Sequence, residues 1–302
     1  VDEVPPRAAV LIAAFRVTGL VRGRRRSVCS YAMENNDLDH LVAGAAGPLP
    51  APARTVSKVA LGLYTRFAVD RLAFATPAAG STYRALPFVR GIPQRVFTEL
   101  PAAALDGAPA TGQKDDDEAE VAPGRTRATF VGVLEGRKGV HELLRAWEQI
   151  EGGDADARLT VIGPGPLAGA VADWAARRPA SRRYLGPLPR SKVLEQLASS
   201  SILLAPSLPE GRWREQVGLP IKEALSVGTT VVTTCQTGLA SWLEQRGHFI
   251  VSVDGADFVD RFAAAAQVAL REPLRRRDVL ASLPERDARI DADAWLHERV
   301  PQ

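Results

Sequence analysis

Ala157-Arg-Leu-Thr-Val-Ile-Gly163-Pro-Gly165-Pro-Leu-Ala168 holds one strand, one turn and the start of a helix. Leu159-Thr-Val-Ile162 is a continuous apolar run of strand length, as expected for a strand covered on both faces. The glycines and prolines that follow punctuate the chain, and a helical pattern then occupies 166–178. The same order recurs on either side. Strand-like runs lie at Ala128–Leu134, Ala157–Gly163, Arg182–Gly186, Ser201–Ala205, Thr229–Thr234 and His248–Val253. Helical patterns lie between and after them, at 139–150, 166–178, 190–199, 217–227, 239–246 and 256–271. Strand–helix alternation of this kind predicts right-handed βαβ units and an α/β fold with a Rossmann-like, doubly wound parallel sheet.

Residues 107–127 interrupt the texture with Gly107, Pro109, Gly112, the acidic run Asp115–Glu118, Pro123 and Gly124. No apolar period runs through them, which reads as a solvated linker. The expected organisation is therefore a smaller α/β unit over 1–106, the linker 107–127, the regular domain 128–272 and a helical tail 273–302. In the first unit, Ala8–Phe15, Ser27–Met33 and Leu72–Thr76 are strand-like, and Arg54–Asp70 has helical spacing at Val59, Leu63 and Phe67.

Composition limits the function classes. The chain has 302 residues, 46% hydrophobic and 24% charged, with a net charge of +3. These are globular values, and the charge is too mild to imply nucleic acid as a partner. The apolar runs fall short of the roughly 20 residues needed to span a bilayer, and no signal-peptide pattern opens the chain. Cys29 and Cys235, far apart, make neither a disulfide framework nor a zinc pattern and are expected to be buried small residues. His40, His141, His248 and His297 have no metal-ligand spacing. A reducing cytoplasm is the expected compartment, and no metal or cofactor is implied.

Ligands of open parallel sheets bind at the carboxyl ends of the strands, and glycines and charges gather there. The first such loop carries Gly132 and then Glu135-Gly-Arg137-Lys138-Gly139. Only five lysines occur in the chain, so Lys138 stands out. Arginine offers a bidentate fork to phosphate and lysine a point charge, although an exposed basic helix start is the plainer reading. Gly163-Pro-Gly165-Pro-Leu-Ala168 fits a loose G-x-G-x-x-A fingerprint. The next strand, Arg182-Arg-Tyr-Leu-Gly186, lacks the ribose-binding acid of that fingerprint, which counts against a nicotinamide or flavin enzyme. The glycines still permit close approach of a ligand, or they mark a tight turn. Glu215-Gln-Val-Gly-Leu-Pro-Ile-Lys-Glu223 places two carboxylates eight apart around a helix start. Each can accept sugar hydroxyl groups, and the N–H groups of Val217, Gly218 and Leu219 can face an anion. Acid at a helix start is also common for dipole reasons alone.

This ordered set resembles the donor half of retaining glycosyltransferases of GT-B fold, most closely glycosyltransferase family 4 (group 1). The resemblance rests on Gly132 with Arg137-Lys138-Gly139, Val161-Ile-Gly-Pro-Gly-Pro-Leu167, Tyr184-Leu-Gly186, Ala205-Pro-Ser207, Glu215 with Glu223, and Glu223-Ala-Leu with Gly228; it covers about 128–272. It implies transfer of a hexose from a nucleoside diphosphate sugar to an acceptor hydroxyl, with retention and without a metal. By resemblance, Arg137 and Lys138 contact the donor diphosphate and stabilise the leaving group. Glu215 lies near the donor sugar and Glu223 on the ribose. Gly163, Gly165 and the turn at Leu188 line the base and ribose. Glu210 is a rival first glutamate with the wrong spacing, and Arg212 and Arg214 add unassigned charge.

The unit over 1–106 is short for the family's acceptor domain and lacks its glycine-rich loop. Tyr31-Ala-Met-Glu34-Asn35-Asn36 resembles a segment from the middle of that domain. The expectation is that the first strands and helices are absent or that the acceptor side is naturally reduced. The alternative function is accordingly a nucleotide-sugar-binding module without turnover. The acceptor is left open among saccharide, lipid and small molecule. The Arg22–Arg26 cluster with the 54–70 helix could touch an anionic membrane, as acceptor domains of lipid glycosyltransferases do by resemblance; a solvated basic loop is the plainer reading.

Overall fold

The computed structural model describes residues 28–32, 69–84, 89, 91–102, 127–211 and 213–298. The run Ala8–Phe15, the Arg22–Arg26 cluster, most of the 54–70 helix, Met33–Asn36, Arg212 and the linker up to residue 126 lie outside them. The chain divides into two compact units: residues 1–99, 211–216 and 287–302 form one, and 100–210 and 217–286 the other.

The first unit contains a three-stranded parallel sheet, β1 (Cys29–Ala32), β2 (Arg71–Phe74) and β3 (Gln94–Val96), in that spatial order. Every residue of β2 is buried, because the sheet is covered on both faces. One face carries Leu72 and Phe74 against Ala79 of α1 (Pro77–Arg84), with the Phe74 and Tyr83 rings 5.3 Å apart. On the other, Ala73 and Phe97 meet Ala288 and Ala292 of the last helix of the chain, Ala288–His297. That helix is anchored by charge as well. Arg289 pairs with the buried Glu99 at 2.5 Å, and Arg71 donates to the carbonyl of Trp295. Burial, together with the nearby Glu99 charge, pushes the Tyr31 hydroxyl up to about 12.

The second unit holds six parallel strands: β4 (Arg127–Val131), β5 (Arg158–Ile162), β6 (Arg182–Tyr184), β7 (Ile202–Ala205), β8 (Thr230–Thr234) and β9 (Phe249–Val251). Their spatial order is β6-β5-β4-β7-β8-β9. The order reverses between β4 and β7, whose register pairs Ala128 with Ile202. This is the doubly wound arrangement expected from the alternation, and the reversal creates a ligand-binding crevice at the strands' carboxyl ends. The connecting helices are α2 (Val140–Gly153), α3 (Ala168–Ala176), α4 (Arg190–Ala198), α5 (Leu219–Ser226), α6 (Ala240–Glu244) and α7 (Phe258–Arg271), followed by α8 (Arg276–Ala281). The helix over Ala288–His297 is then α9. The tail expected over 273–302 is thus shared, with α8 in the second unit and α9 in the first.

The main core lies beneath α2 and α7. Trp147, Leu143, Ile150, Phe130, Leu159 and Phe262 are fully buried there. The apolar residues of α2 recur at positions 140, 143, 147 and 150, one face of a helix. Burying each such large side chain contributes about 1.5–3 kcal/mol.

Candidate functional site

The loops after β4, β5, β6 and β7 are cross-linked by backbone hydrogen bonds, and threonine hydroxyls tie in the end of β8 and its loop. From the first loop, Gly132 donates to the carbonyl of Ile162, and Leu134 to that of Pro164 at 2.7 Å. Gly163 donates to Gly186 at 2.9 Å, and the Tyr184 hydroxyl donates to the carbonyl of Gly163 at 3.0 Å. Leu208 donates to the carbonyl of Arg137 at 2.9 Å, tying the loop after β4 to the loop after β7 across the reversal point. Thr234 Oγ1 donates to the carbonyl of Ser207, and Thr237 Oγ1 to that of Val217, which fixes the entry to α5.

Close packing explains the glycines. Gly163 has φ +136°, and a Cβ there would strike the carbonyl of Gly132. At Gly165 it would meet the backbone of Leu134, and at Gly139, with φ +68°, the carbonyl of Pro206. The sequence left a ligand approach and a tight turn open for Gly163 and Gly165. Their immediate neighbour is the backbone of the loop after β4, so packing by itself already requires glycine at both positions.

Arg137 and Lys138 sit in a 3₁₀ turn, Gly136–Lys138, that leads into α2. Arg137 is ion-paired with Glu135 at 2.5 Å, and both side chains are about three-quarters buried. Gly218, with φ +80°, caps α5, and Pro220 lies in the first turn. Among the described residues, none of the amides of Val217, Gly218 and Leu219 donates a hydrogen bond. These N–H groups lie at the start of the helix, at the positive end of its dipole. Glu223 is the fifth residue of α5, one turn inside, and its side chain is 7% exposed. Arg190, the first residue of α4, donates through Nε to Glu223 Oε1 at 3.0 Å. Leu188 is half-buried in the turn before α4.

Gly132, Arg137, Lys138, Gly163, Gly165, Leu188, Val217, Gly218, Leu219 and Glu223 therefore all belong to the carboxyl edge of one unit. Glu215 is half-buried in the segment 211–216, which clusters with the first unit; Glu210 is exposed. Chemically, an edge with two cations, uncommitted amides and a buried carboxylate suits a polyphosphate joined to a hydroxyl-bearing group.

Two site residues escaped the sequence reading, Glu135 and Arg190. Arg190 did leave a signal, because a cation at a helix N-terminus opposes the dipole and calls for a partner distant in sequence. Cys235, expected to be buried, is exposed, since it lies one residue beyond β8. Cys29 is half-buried and donates to the carbonyl of Leu296. Among the described residues no group of three His, Cys, Asp or Glu could hold a metal, and no helix is long and apolar enough to cross a membrane.

Residues 125–272 match the family described as Glycosyl transferases group 1. None of the curated proteins matches this sequence. Similar solved structures include a UDP-forming α,α-trehalose-phosphate synthase from Burkholderia xenovorans, with a TM-score of 0.67 at 17% identity, over 98% of this chain and 71% of that one. Another is the E. coli trehalose-6-phosphate enzyme bound with UDP-2-fluoro glucose, with a TM-score of 0.63 at 15% identity, over 98% and 79% of the two chains. A third is Anabaena HepE in complex with UDP and glucose, with a TM-score of 0.55 at 14% identity, over 95% and 71%.

Proposed function

We propose that the chain, whose residues 125–272 match the group 1 glycosyl transferases and whose fold is GT-B, moves a hexose from a nucleoside diphosphate sugar to an acceptor hydroxyl with retention at the anomeric carbon. One observation carries this reading. At the point where strand order reverses, the loop bearing Arg137 and Lys138 is pinned to the loop after β7, and the amides at the start of α5 donate to none of the described residues. Fixed N–H groups and cations at a strand edge are what a departing diphosphate requires.

In this reading Arg137, Lys138 and the amides of Val217, Gly218 and Leu219 hold the diphosphate. As the glycosidic bond breaks, negative charge grows on the leaving phosphate oxygen, where preorganised donors lower the barrier most. The acceptor hydroxyl adds to the anomeric carbon from the same face, and its proton passes to the departing phosphate. No protein nucleophile and no metal are used. Glu223 accepts the ribose hydroxyls and Glu215 orients the sugar. Gly132, Gly163 and Gly165 keep the loops close enough for the base to lie along Leu188.

The chain is offered UDP-, GDP- and ADP-hexoses with glucose phosphate and simple glycosides, in EDTA, and the product's anomeric configuration is read by NMR. Retained configuration with EDTA present is the expected result; inversion, or transfer that requires a divalent ion, sinks the mechanism. Uridine donors come first, because two of the similar structures hold UDP or a UDP sugar.

A second reading, binding without turnover, is favoured by the 2.5 Å pairing of Arg137 with Glu135, which already offsets the Arg137 charge. Donor binding with neither transfer nor hydrolysis would establish it.

A further inference from the structure

We propose that Arg190 gives the donor site its selectivity for a ribonucleotide, by holding the Glu223 carboxylate in the orientation that accepts ribose hydroxyls. This rests on the donor-site reading above and adds to it a positioning residue that no motif indicated.

The pair is asymmetric. The Glu223 side chain is 7% exposed and that of Arg190 is 72% exposed. A buried carboxylate needs a cation or hydrogen-bond donors, and among the described residues Arg190 is its ion-pair partner. The contact runs from Nε to Oε1 alone. It fixes one carboxylate oxygen and leaves the other to a ligand, and an ionised carboxylate accepts through both. A guanidinium is permanently charged, and its directional contact to Oε1 biases which way the carboxylate turns.

The position of Arg190 supports a role outside its own helix. It is the first residue of α4, where a cation opposes the helix dipole. It also follows the Gly186–Pro189 turn, which the donor reading places along the base and ribose. A simpler role is a tie between α4 and α5. That role would alter stability and leave the dependence of binding on a ribose hydroxyl untouched, so the two are separable.

The experiment is calorimetry on the full chain with UDP, GDP and ADP, then with the 2′-deoxy form of whichever binds, and with inorganic pyrophosphate. In the natural chain, loss of the 2′-hydroxyl should weaken binding about tenfold or more, the value of a hydrogen bond to a charged group. In Arg190→Gln that penalty should shrink to about threefold or less, while pyrophosphate binds as before. Glu223→Gln should show the same collapse, and the double variant no further one. Arg190→Lys, which keeps the charge without the planar fork, should fall between and guards against a folding defect in Arg190→Gln. A full deoxy penalty in Arg190→Gln beside a collapsed one in Glu223→Gln overturns the proposal and leaves the donor site standing. An equal loss for all three ligands makes Arg190 a mere attracting charge, which also overturns it. Failure of the natural chain to bind any nucleoside diphosphate removes the donor reading itself.

Discussion

At the amino edge of the six-stranded sheet, Arg182 begins β6 with every nitrogen engaged. Its Nε reaches both oxygens of Glu151 at 3.1 Å, Nη1 donates to the carbonyl of Trp174 at 3.0 Å, and Nη2 donates to Glu151 and Glu148. The guanidinium also lies 4.1 Å from the centroid of the Trp174 ring. Burial alone would raise the Glu151 carboxyl, but hydrogen bonds from Arg182 and Ser181 and the charges of Arg182 and Arg178 hold it below its usual range. At the carboxyl edge Arg137 pairs with Glu135, Glu223 takes a single contact from Arg190, and the amides that open α5 donate to none of the described residues. Both edges hold buried or half-buried charge. One edge closes its network on itself, which is what a structural ion pair requires. The other leaves the α5 amides and one Glu223 oxygen without a described partner, as the proposed donor site requires.

The largest effect that should separate the edges is on stability. Glu151→Ala strands a buried guanidinium and should cost about 3–5 kcal/mol. Glu223→Ala should cost less, because its partner Arg190 is mostly exposed and returns to water. Urea denaturation of the two variants checks the order, and equal losses would erase the distinction drawn between the edges.

Next is a pH effect that belongs to neither edge's charges. His248 is buried, and its Nδ1 accepts the amide of Val231 at 3.1 Å. Burial first, and the Arg246 charge second, lower it from 6.5 to about 4. The unfolded chain therefore binds a proton between these values that the folded chain refuses. Stability falls as pH drops from 6.5 toward 4, by up to about 3 kcal/mol. Glu151, lowered from 4.5, contributes a further loss only below that pH. His248→Asn keeps an acceptor and should flatten the upper part of the profile; an unchanged slope between pH 6.5 and 4.5 would show that other groups carry it.

The smallest expected changes are in binding. Arg137→Ala and Lys138→Ala should each weaken nucleoside diphosphate binding by about 1.5–3 kcal/mol. Arg137 should lie at the lower end, because Glu135 already offsets its charge. Removing that offset sharpens the comparison: Glu135→Gln should tighten the diphosphate, and weaker binding in that variant would mean Glu135 serves to aim Arg137. Calorimetry with the same nucleotide reads all three variants.

The elements of the second unit are legible in its sequence. Its apolar runs are continuous and punctuated by glycine and proline, so period and turn chemistry agree at each boundary, from Leu159-Thr-Val-Ile162 to the αL glycine before α2. It also put Arg137, Lys138, Val217, Gly218, Leu219 and Glu223 at strand ends and a helix start, because those positions follow from local pattern. The first unit was less legible. α1 and β3 were not foreseen, since Pro77–Arg84 is rich in small residues and Gln94–Val96 spans only three. The strand order, the pinning of Arg137 by Leu208, the packing that requires Gly163 and Gly165, and the pairing of Arg190 with Glu223 were decided only in the tertiary structure. Each joins residues on different elements, and periodicity records which face a residue takes without naming the residue it meets there.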